Sequence, residues 1–176
     1  SEYIWIAEGD DVSNIKFIKK FKKVLQDSNK TIDLFVSDTG IINYKDEIIQ
    51  KNFSDWYERQ NFNFHEGGII SSSLISNLTK IINPFPNISA TIWKKSLFKE
   101  TIDQINKFNL KPKYYFDWLL YVVSLNMFNV NSYYLDEVLN FYRKHKTSVT
   151  HKLSRKDEIN EIKLIYNLIN TYIGSS

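Results

Sequence analysis

The order of apolar and polar residues along the chain predicts strands that alternate with helices. Residues 3–7 are all apolar or aromatic, as in a short buried strand, and the sequence then turns polar at once. Helices are predicted where apolar residues recur at helical spacing, over residues 13–26, 70–82, 94–108, 114–128 and 154–173. Further strands are predicted over residues 31–37, 41–44, 88–93, 130–135 and 138–142. We therefore expect one α/β domain around one core in this chain of 176 residues.

Several connections are predicted from residues that favour caps and turns. Ser13 is expected to cap the first helix, and Asp38-Thr39-Gly40 is expected to turn one short strand into the next. Residues 45–65 are polar and aromatic without a period, which indicates a loop with some helix. The pair Gly67-Gly68 is expected to interrupt regular structure before the next helix.

Three acids and one glycine, Glu8-Gly9-Asp10-Asp11, follow the first predicted strand directly. A buried strand cannot hold three carboxylates, so they are expected on the turn where the strand leaves the core. In open α/β sheets, ligands bind just outside the carboxyl ends of strands. Crowded carboxylates repel one another unless a cation lies among them, and oxygen ligands on a loop suit Mg²⁺ or Mn²⁺ shared with substrate phosphates. The alternative is an acidic turn that caps the following helix, because acids stabilise helix N-termini.

Two other positions break the local pattern, and such breaks are typical of functional sites. Asp117 is the lone acid near the start of a predicted helix that is apolar almost all round. Such an acid must be hydrogen-bonded, ion-paired or open to a cleft, and the plainer interpretation is an ion-paired acid at a helix start. Arg143 and His145 begin a polar run after the last predicted strand, where the alternative is a solvated loop.

Composition narrows the classes of partner. The net charge of +3 is mild, and its lysines cluster on one predicted helix face at Lys16, Lys19, Lys20 and Lys23. That spacing is typical of a solvated helix face, so no nucleic-acid partner is expected. The sequence has no cysteine, which excludes disulfides and thiolate zinc sites. It also has twelve Phe, eleven Tyr and four Trp, and Tyr and Trp often line sugar sites.

Together these segments resemble bacterial family 2 glycosyltransferases, which have the GT-A fold. The resemblance rests on residues 3–11 (YIWIAEGDD), 33–38 (DLFVSD), 86–96 (PNISATIWKKS), 117–120 (DWLL), 135–145 (LDEVLNFYRKH) and 148–150 (SVT). It implies an α/β, GT-A-like (Rossmann-related) mixed sheet flanked by helices in residues 1–151. Residues 152–176 are then expected to form a C-terminal helix packed on this domain or extending from it. Because a nucleotide-binding half precedes the acidic motif in this family, the resemblance also implies a partial domain that lacks its N-terminal half.

The resemblance implies an inverting, metal-dependent enzyme that transfers a sugar from a nucleotide-sugar donor to a polysaccharide, glycolipid or glycoprotein acceptor. By position, it implies Mn²⁺ or Mg²⁺ at Asp11, Asp10 and Glu8, donor diphosphate at Asp10, Arg143 and His145, a base at Asp117, and an acceptor site bordered by Asn87, Ser89 and Trp93. Such a protein is expected in the cytoplasm, where it can lie peripherally at the inner face of the membrane. The alternative is a non-catalytic GT-A-like module that binds an acceptor glycan or a protein partner.

Overall fold

The computed structural model describes residues 1–55, 67–145 and 153–173. The strands in these ranges are β1 (Tyr3–Trp5), β2 (Val12–Ser13), β3 (Leu34–Ile42), β4 (Ile48–Gln50), β5 (Gly68–Ile70), β6 (Thr91–Lys94) and β7 (Ser132–Arg143). The helices are α1 (Phe17–Asp27), α2 (Ser72–Thr79), α3 (Lys95–Lys107), α4 (Phe116–Met127) and α5 (Arg155–Leu168). A 3₁₀ turn, Ile88–Ala90, precedes β6, and a short π-helix, Ile169–Ile173, continues α5. The predicted α/β class is confirmed.

The strands form one mixed sheet built on two long parallel strands, β3 and β7. These two pair from Leu34 opposite Ser132 to Ile42 opposite Arg143. On its outer side β3 pairs antiparallel with β6 and β4, and β7 pairs antiparallel with β5 and β2. Strand β1 lies beyond β6 and is antiparallel to it. Strands β1, β3 and β7 therefore run in the same direction, and their carboxyl ends lie at one edge of the sheet.

Helices cover both faces of this sheet. Alternation along β3 sends Leu34 and Val36 into one apolar cluster and Phe35 into the other. Helix α1 covers the smaller cluster with its buried residues Phe17, Phe21 and Val24. The larger cluster includes side chains from all four remaining helices, and residues 118–125 of α4 are all buried. The predicted helices over 94–108 and 114–128 agree with α3 and α4 to within two residues.

The C-terminal helix packs on the domain, because Ile165, Leu168, Ile169 and Ile173 are buried in the larger cluster. Its N-cap is Ser154, whose hydroxyl accepts from the N–H of Asp157 at 3.1 Å. Within the described residues, no helix combines the length and apolar character needed to cross a membrane.

Four local predictions are wrong. Residues 3–7 do not form a fully buried strand, since β1 ends at Trp5 and that side chain is 37 % exposed at the sheet margin. Ser13 does not cap a helix, because it lies in β2 and its hydroxyl donates to Asn140. Asp38-Thr39-Gly40 is not a turn, since β3 runs through it as one buried strand. Residues 130–142 likewise hold a single strand, β7.

The physical reason for the last two differences is that β3 and β7 pair along their length, with register shifts at Asp38 that absorb the irregular sequence. Ser13 is held in β2 because it pairs with Asn140 of β7. The Asp38 carboxylate can be buried in β3 because it accepts hydrogen bonds from the N–H groups of Thr39 at 2.7 Å and Phe53 at 3.0 Å. The predicted break at Gly67 and Gly68 coincides with positive φ angles of 60° and 101°. Much of the irregular segment predicted over 45–65, and the 148–150 block, lie outside the described residues.

Candidate functional site

The acidic motif lies at the edge of the sheet where three strands end. Residues 8–11 follow β1, residues 43–46 follow β3, and residues 143–145 include the end of β7. Helix α4, which carries Asp117 in its first turn, begins near the same edge, since Asp117 and Glu8 line the same cleft. The topology therefore gathers polar segments that are far apart in the sequence.

Ser89, in the 3₁₀ turn before β6, holds the acidic loop in place. Its hydroxyl donates to Asp11 Oδ2 at 2.7 Å and accepts from the N–H of Glu8 at 2.9 Å. Its carbonyl oxygen accepts from Trp5 Nε1 at 2.8 Å, and its own N–H donates to Asn87 Oδ1 at 2.8 Å. Ser89 and Asn87 are each only 1 % exposed. These two residues support the loop from behind and do not line the cleft described below.

Asp11 points into this support. Besides the Ser89 hydroxyl on Oδ2, its Oδ1 accepts from the backbone N–H of Arg143 at 3.1 Å. Burial raises the pKa of the Asp11 carboxyl, and the two hydrogen bonds oppose that rise by stabilising the charged form. Asp11 thus links the loop after β1 to the turn before β6 and to Arg143, the last residue of β7.

A cleft of about 490 Å³ opens beside the motif. Two of the three predicted metal ligands, Glu8 and Asp10, line it together with the predicted base, Asp117. Its other lining residues are Ile6, Pro86, Ile88, Lys113, Tyr114, Phe116, Leu120 and Tyr142. The cleft therefore combines carboxyl groups with an apolar and aromatic wall, which is the usual make-up of a small-molecule site.

Two carboxyl groups of the cleft, those of Glu8 and Asp117, hold protons more tightly than usual. Burial raises the pKa of Glu8 to about 7, with added repulsion from Asp11, Asp117 and Asp10. Burial also raises the pKa of Asp117 to about 6, although Asn83 Nδ2 donates to its Oδ2 at 2.7 Å and favours the charged form. Asp117 is therefore largely ionised at neutral pH, whereas Glu8 is about half protonated. A perturbed pair of acids in one cleft is typical of a functional site.

Arg143 and His145 both contact Asp10 of the acidic loop, and neither is among the residues that line the cleft. The Arg143 guanidinium donates from Nε to the carbonyl oxygen of Asp10 at 2.7 Å and from Nη1 to that of Asn43 at 3.1 Å. Its Nη1 also lies 2.6 Å from a carboxylate oxygen of Asp46. His145 Nε2 lies 2.9 Å from Asp10 Oδ2. Both side chains orient Asp10, and their contact with a diphosphate stays a prediction.

Trp93 is not at the cleft, so the prediction that it borders an acceptor site is wrong. Its side chain is 0 % exposed, and its indole stacks on Tyr121 with ring centroids 5.5 Å apart. Its Nε1 donates to Thr91 Oγ1 at 2.9 Å. The Trp93 ring thus belongs to the larger core, where it fills the space between β6 and α4.

Sequence reasoning missed Lys113, Tyr114 and Phe116 as lining residues of the cleft. They lie just before and at the start of α4 and flank Asp117 closely in the sequence. Their closeness to Asp117 in the sequence was the only sign that they could line the cleft. Their orientation depends on contacts that hold the loop before α4, and these come from a distant part of the sequence.

A divalent cation fits the chemistry of the cleft in part. The described residues contain no group of three or more His, Cys, Asp or Glu placed to hold a metal. However, Mg²⁺ is commonly bound by one or two carboxylates together with substrate phosphates, without an all-protein cage. The oxygen ligands of Glu8 and Asp10, with no nitrogen or sulfur among them, fit such a site.

Comparison of the chain with models of known protein families finds no match, and comparison with curated proteins finds no significant match. Together, the fold and the site define an α/β protein with a mixed sheet and an acidic cleft near the carboxyl ends of three of its strands.

Proposed function

We propose that this chain is part of an inverting, metal-dependent glycosyltransferase of family 2 with a GT-A-like domain. It would transfer a sugar from a nucleotide-sugar donor to a polysaccharide, glycolipid or glycoprotein acceptor. The observation that supports this proposal best is one cleft lined by the acidic loop after β1 and by Asp117 at the start of α4. These are the motif and the base position that carry the sequence resemblance.

Asp117 is the base in this proposal. The acceptor hydroxyl gives its proton to an Asp117 carboxylate oxygen while its oxygen attacks the anomeric carbon of the donor. The bond from that carbon to the diphosphate oxygen breaks, and the nucleoside diphosphate leaves from the opposite face. With its pKa raised to about 6, Asp117 is ionised at neutral pH and more basic than an ordinary aspartate.

The acidic loop serves the leaving group. Glu8 and Asp10 would hold Mn²⁺ or Mg²⁺, which would neutralise charge on the departing diphosphate. Asp11 would contribute to this site from behind, where Ser89 and Arg143 hold it. Arg143 and His145 fix Asp10 through its carbonyl and carboxylate oxygens. The rings of Tyr114 and Phe116 offer an apolar wall to one face of a sugar.

On the resemblance, the base and ribose of the donor are held by a nucleotide-binding half that precedes the acidic motif. A glycan or glycolipid acceptor would enter from the open side of the cleft, which is compatible with a cytoplasmic protein working peripherally at a membrane.

Calorimetry with a panel of nucleotide sugars, with Mn²⁺ and with a chelator, tests the proposal on the protein as its gene encodes it. We expect metal-dependent donor binding by the full-length protein that Asp10→Ala abolishes. Asp117→Asn should leave donor binding intact and lower turnover by about 10²–10⁴-fold, because a base acts in the transition state. Asp103→Asn, at an exposed position of α3, is the matched control. Absence of donor binding in the full-length protein would overturn the proposal.

The hydrogen bond from Asn83 to Asp117 favours one second candidate, a non-catalytic module that binds a glycan or a protein. A carboxylate that serves as a fixed acceptor can orient a ligand hydroxyl without removing its proton. Glycan binding that needs no metal, with no donor binding, would support this candidate instead.

A further inference from the structure

The C-terminal helix supplies a carboxylate that holds one wall of the cleft. Glu161 Oε1 accepts from the backbone N–H of Lys113 at 2.6 Å. Its Oε2 accepts from the N–H groups of Tyr114 at 2.8 Å and Tyr115 at 3.0 Å. Three successive N–H groups of one loop therefore converge on a single side chain that lies more than forty residues later in the sequence.

These contacts occur where helix α4 needs a partner. Tyr115 is the N-cap of α4 and makes no side-chain capping bond. The first N–H groups of a helix have no partner within the helix, and a carboxylate near them is favourable because of the helix dipole. Glu161 accepts from the N–H of the N-cap residue, Tyr115, and of the two residues before it, so it holds the segment that leads into α4.

Helix α5, which carries Glu161, is held in place by its packing against the larger core. Glu158, one turn earlier on α5, accepts from the Tyr115 hydroxyl at 3.2 Å. One turn later, Ile165 is 0 % exposed, and Leu168 is also buried in the larger core. The loop is therefore tied to a helix whose own position is fixed by packing.

We propose that Glu161 is a positioning residue for the cleft. It fixes the loop at Lys113 and Tyr114 and the start of α4, so that Tyr114 and Asp117 line the cleft together with Glu8 and Asp10. Its consequence for catalysis rests on the proposed function, but its effect on the loop does not. Residues 152–176 lie outside the sequence resemblance, so this assigns the C-terminal helix a part in the site.

The first test concerns the loop and needs no substrate. In the wild-type protein, the amides of Lys113, Tyr114 and Tyr115 should be protected from hydrogen exchange. Glu161→Gln keeps the shape but replaces one accepting oxygen with an NH₂ group, so exchange at these amides should rise by about 10-fold or more. Glu100→Gln, at an exposed position of α3, is the matched control and should leave them unchanged. Unprotected wild-type amides, or no change in Glu161→Gln, would overturn the proposal.

The second test separates positioning from general stability. In the transferase assay, Glu161→Gln should lower kcat/KM for the acceptor by about 10-fold or more while the donor Kd stays unchanged. An NMR titration should show a shifted pKa for the Asp117 carboxyl in the same variant. A variant with faster loop exchange but an unchanged Asp117 titration would overturn the role in the site. If the wild-type protein transfers no sugar, the proposed function fails, whereas exchange and titration still decide the role of Glu161.

Discussion

The hydroxyl of Ser89 makes two hydrogen bonds to the acidic motif, donating to Asp11 Oδ2 at 2.7 Å and accepting from the N–H of Glu8 at 2.9 Å. The Ser89 and Asp11 side chains meet across 78 residues of sequence. One buried hydroxyl therefore sets both the course of the loop and the direction of a carboxylate in it. The site depends on β1 and the 3₁₀ turn before β6 remaining together.

Ser89→Ala should lower the free energy of unfolding by about 1–3 kcal/mol, because it removes the partner of a Glu8 N–H and of a partly buried carboxylate. The pKa of Asp11 should rise further, since the Ser89 hydroxyl opposes the effect of burial. Urea denaturation measures the first effect and an NMR titration the second. Ser96→Ala, at an exposed position of α3, provides the control, and an equal loss in both variants would contradict the expectation.

Asp117→Asn should stabilise the protein at neutral pH. Burial raises the pKa of Asp117 from 3.8 to about 6, so the folded state binds a proton more tightly than the unfolded state. The stability this group contributes is present below its unfolded pKa and is lost as pH rises through the folded pKa. The variant should therefore gain about 1–2 kcal/mol over the wild type at about pH 7.5 and little at about pH 4.

Paired urea denaturation curves at the two pH values check this expectation for Asp117→Asn. Asp103→Asn, exposed on α3, serves as control. A variant less stable than the wild type at the higher pH would mean that the charged carboxylate is well satisfied in the folded protein.

Elements with a strong local pattern could be predicted from the sequence. Helix α3 has an amphipathic period and α4 an apolar run, and both signals lie within the elements themselves. That Asp10 and Asp117 lie at a cleft could also be predicted, because acids at the ends of apolar segments have few other stable places.

Features that depend on distant partners could not be predicted in the same way. Asp38 has the sequence context of a turn, yet its carboxylate is satisfied inside β3 by the N–H groups of Thr39 and Phe53. Trp93 has the amphipathic character of a sugar-site residue, but stacking on Tyr121 places it in the core. The part played by Tyr114 depends on Glu161, in a helix that the sequence alone did not connect with the cleft.

Arg143→Lys should loosen the turn after β3 from the acidic loop. The guanidinium reaches the carbonyl oxygens of Asp10 and Asn43 from different nitrogens, and a single ammonium cannot reproduce that fork. We expect a loss of about 1 kcal/mol in unfolding free energy and faster amide exchange in the turn. Asp46→Asn should cost less than about 0.5 kcal/mol, because that carboxylate is 72 % exposed and exposed ion pairs contribute little. Equal losses in the two variants would show that the ion pair, and not the carbonyl contacts, holds the turn.

Two glycines near the site, Gly40 in β3 and Gly9 in the acidic loop, should differ in how much an alanine substitution costs. A Cβ at Gly40 would lie 2.7 Å from Phe141 Cδ1 and 3.0 Å from the carbonyl oxygen of Lys51, whereas a Cβ at Gly9 would have no atom within 4 Å. Neither glycine has a positive φ, so the difference is one of space alone. Phe141 pairs with Val12 in β2, directly after the acidic motif, so a shift of its ring would reach the site.

Gly40→Ala should therefore cost about 1–3 kcal/mol in unfolding free energy, as overpacking in a filled interior does. Gly9→Ala should change stability by no more than about 0.5 kcal/mol. Phe141→Leu should recover part of the loss at Gly40, so the double variant should be more stable than the sum of the single effects predicts. Urea denaturation of the four variants and the wild type completes the cycle. Additive effects, or equal losses at Gly9 and Gly40, would mean that the Phe141 ring moves aside without cost.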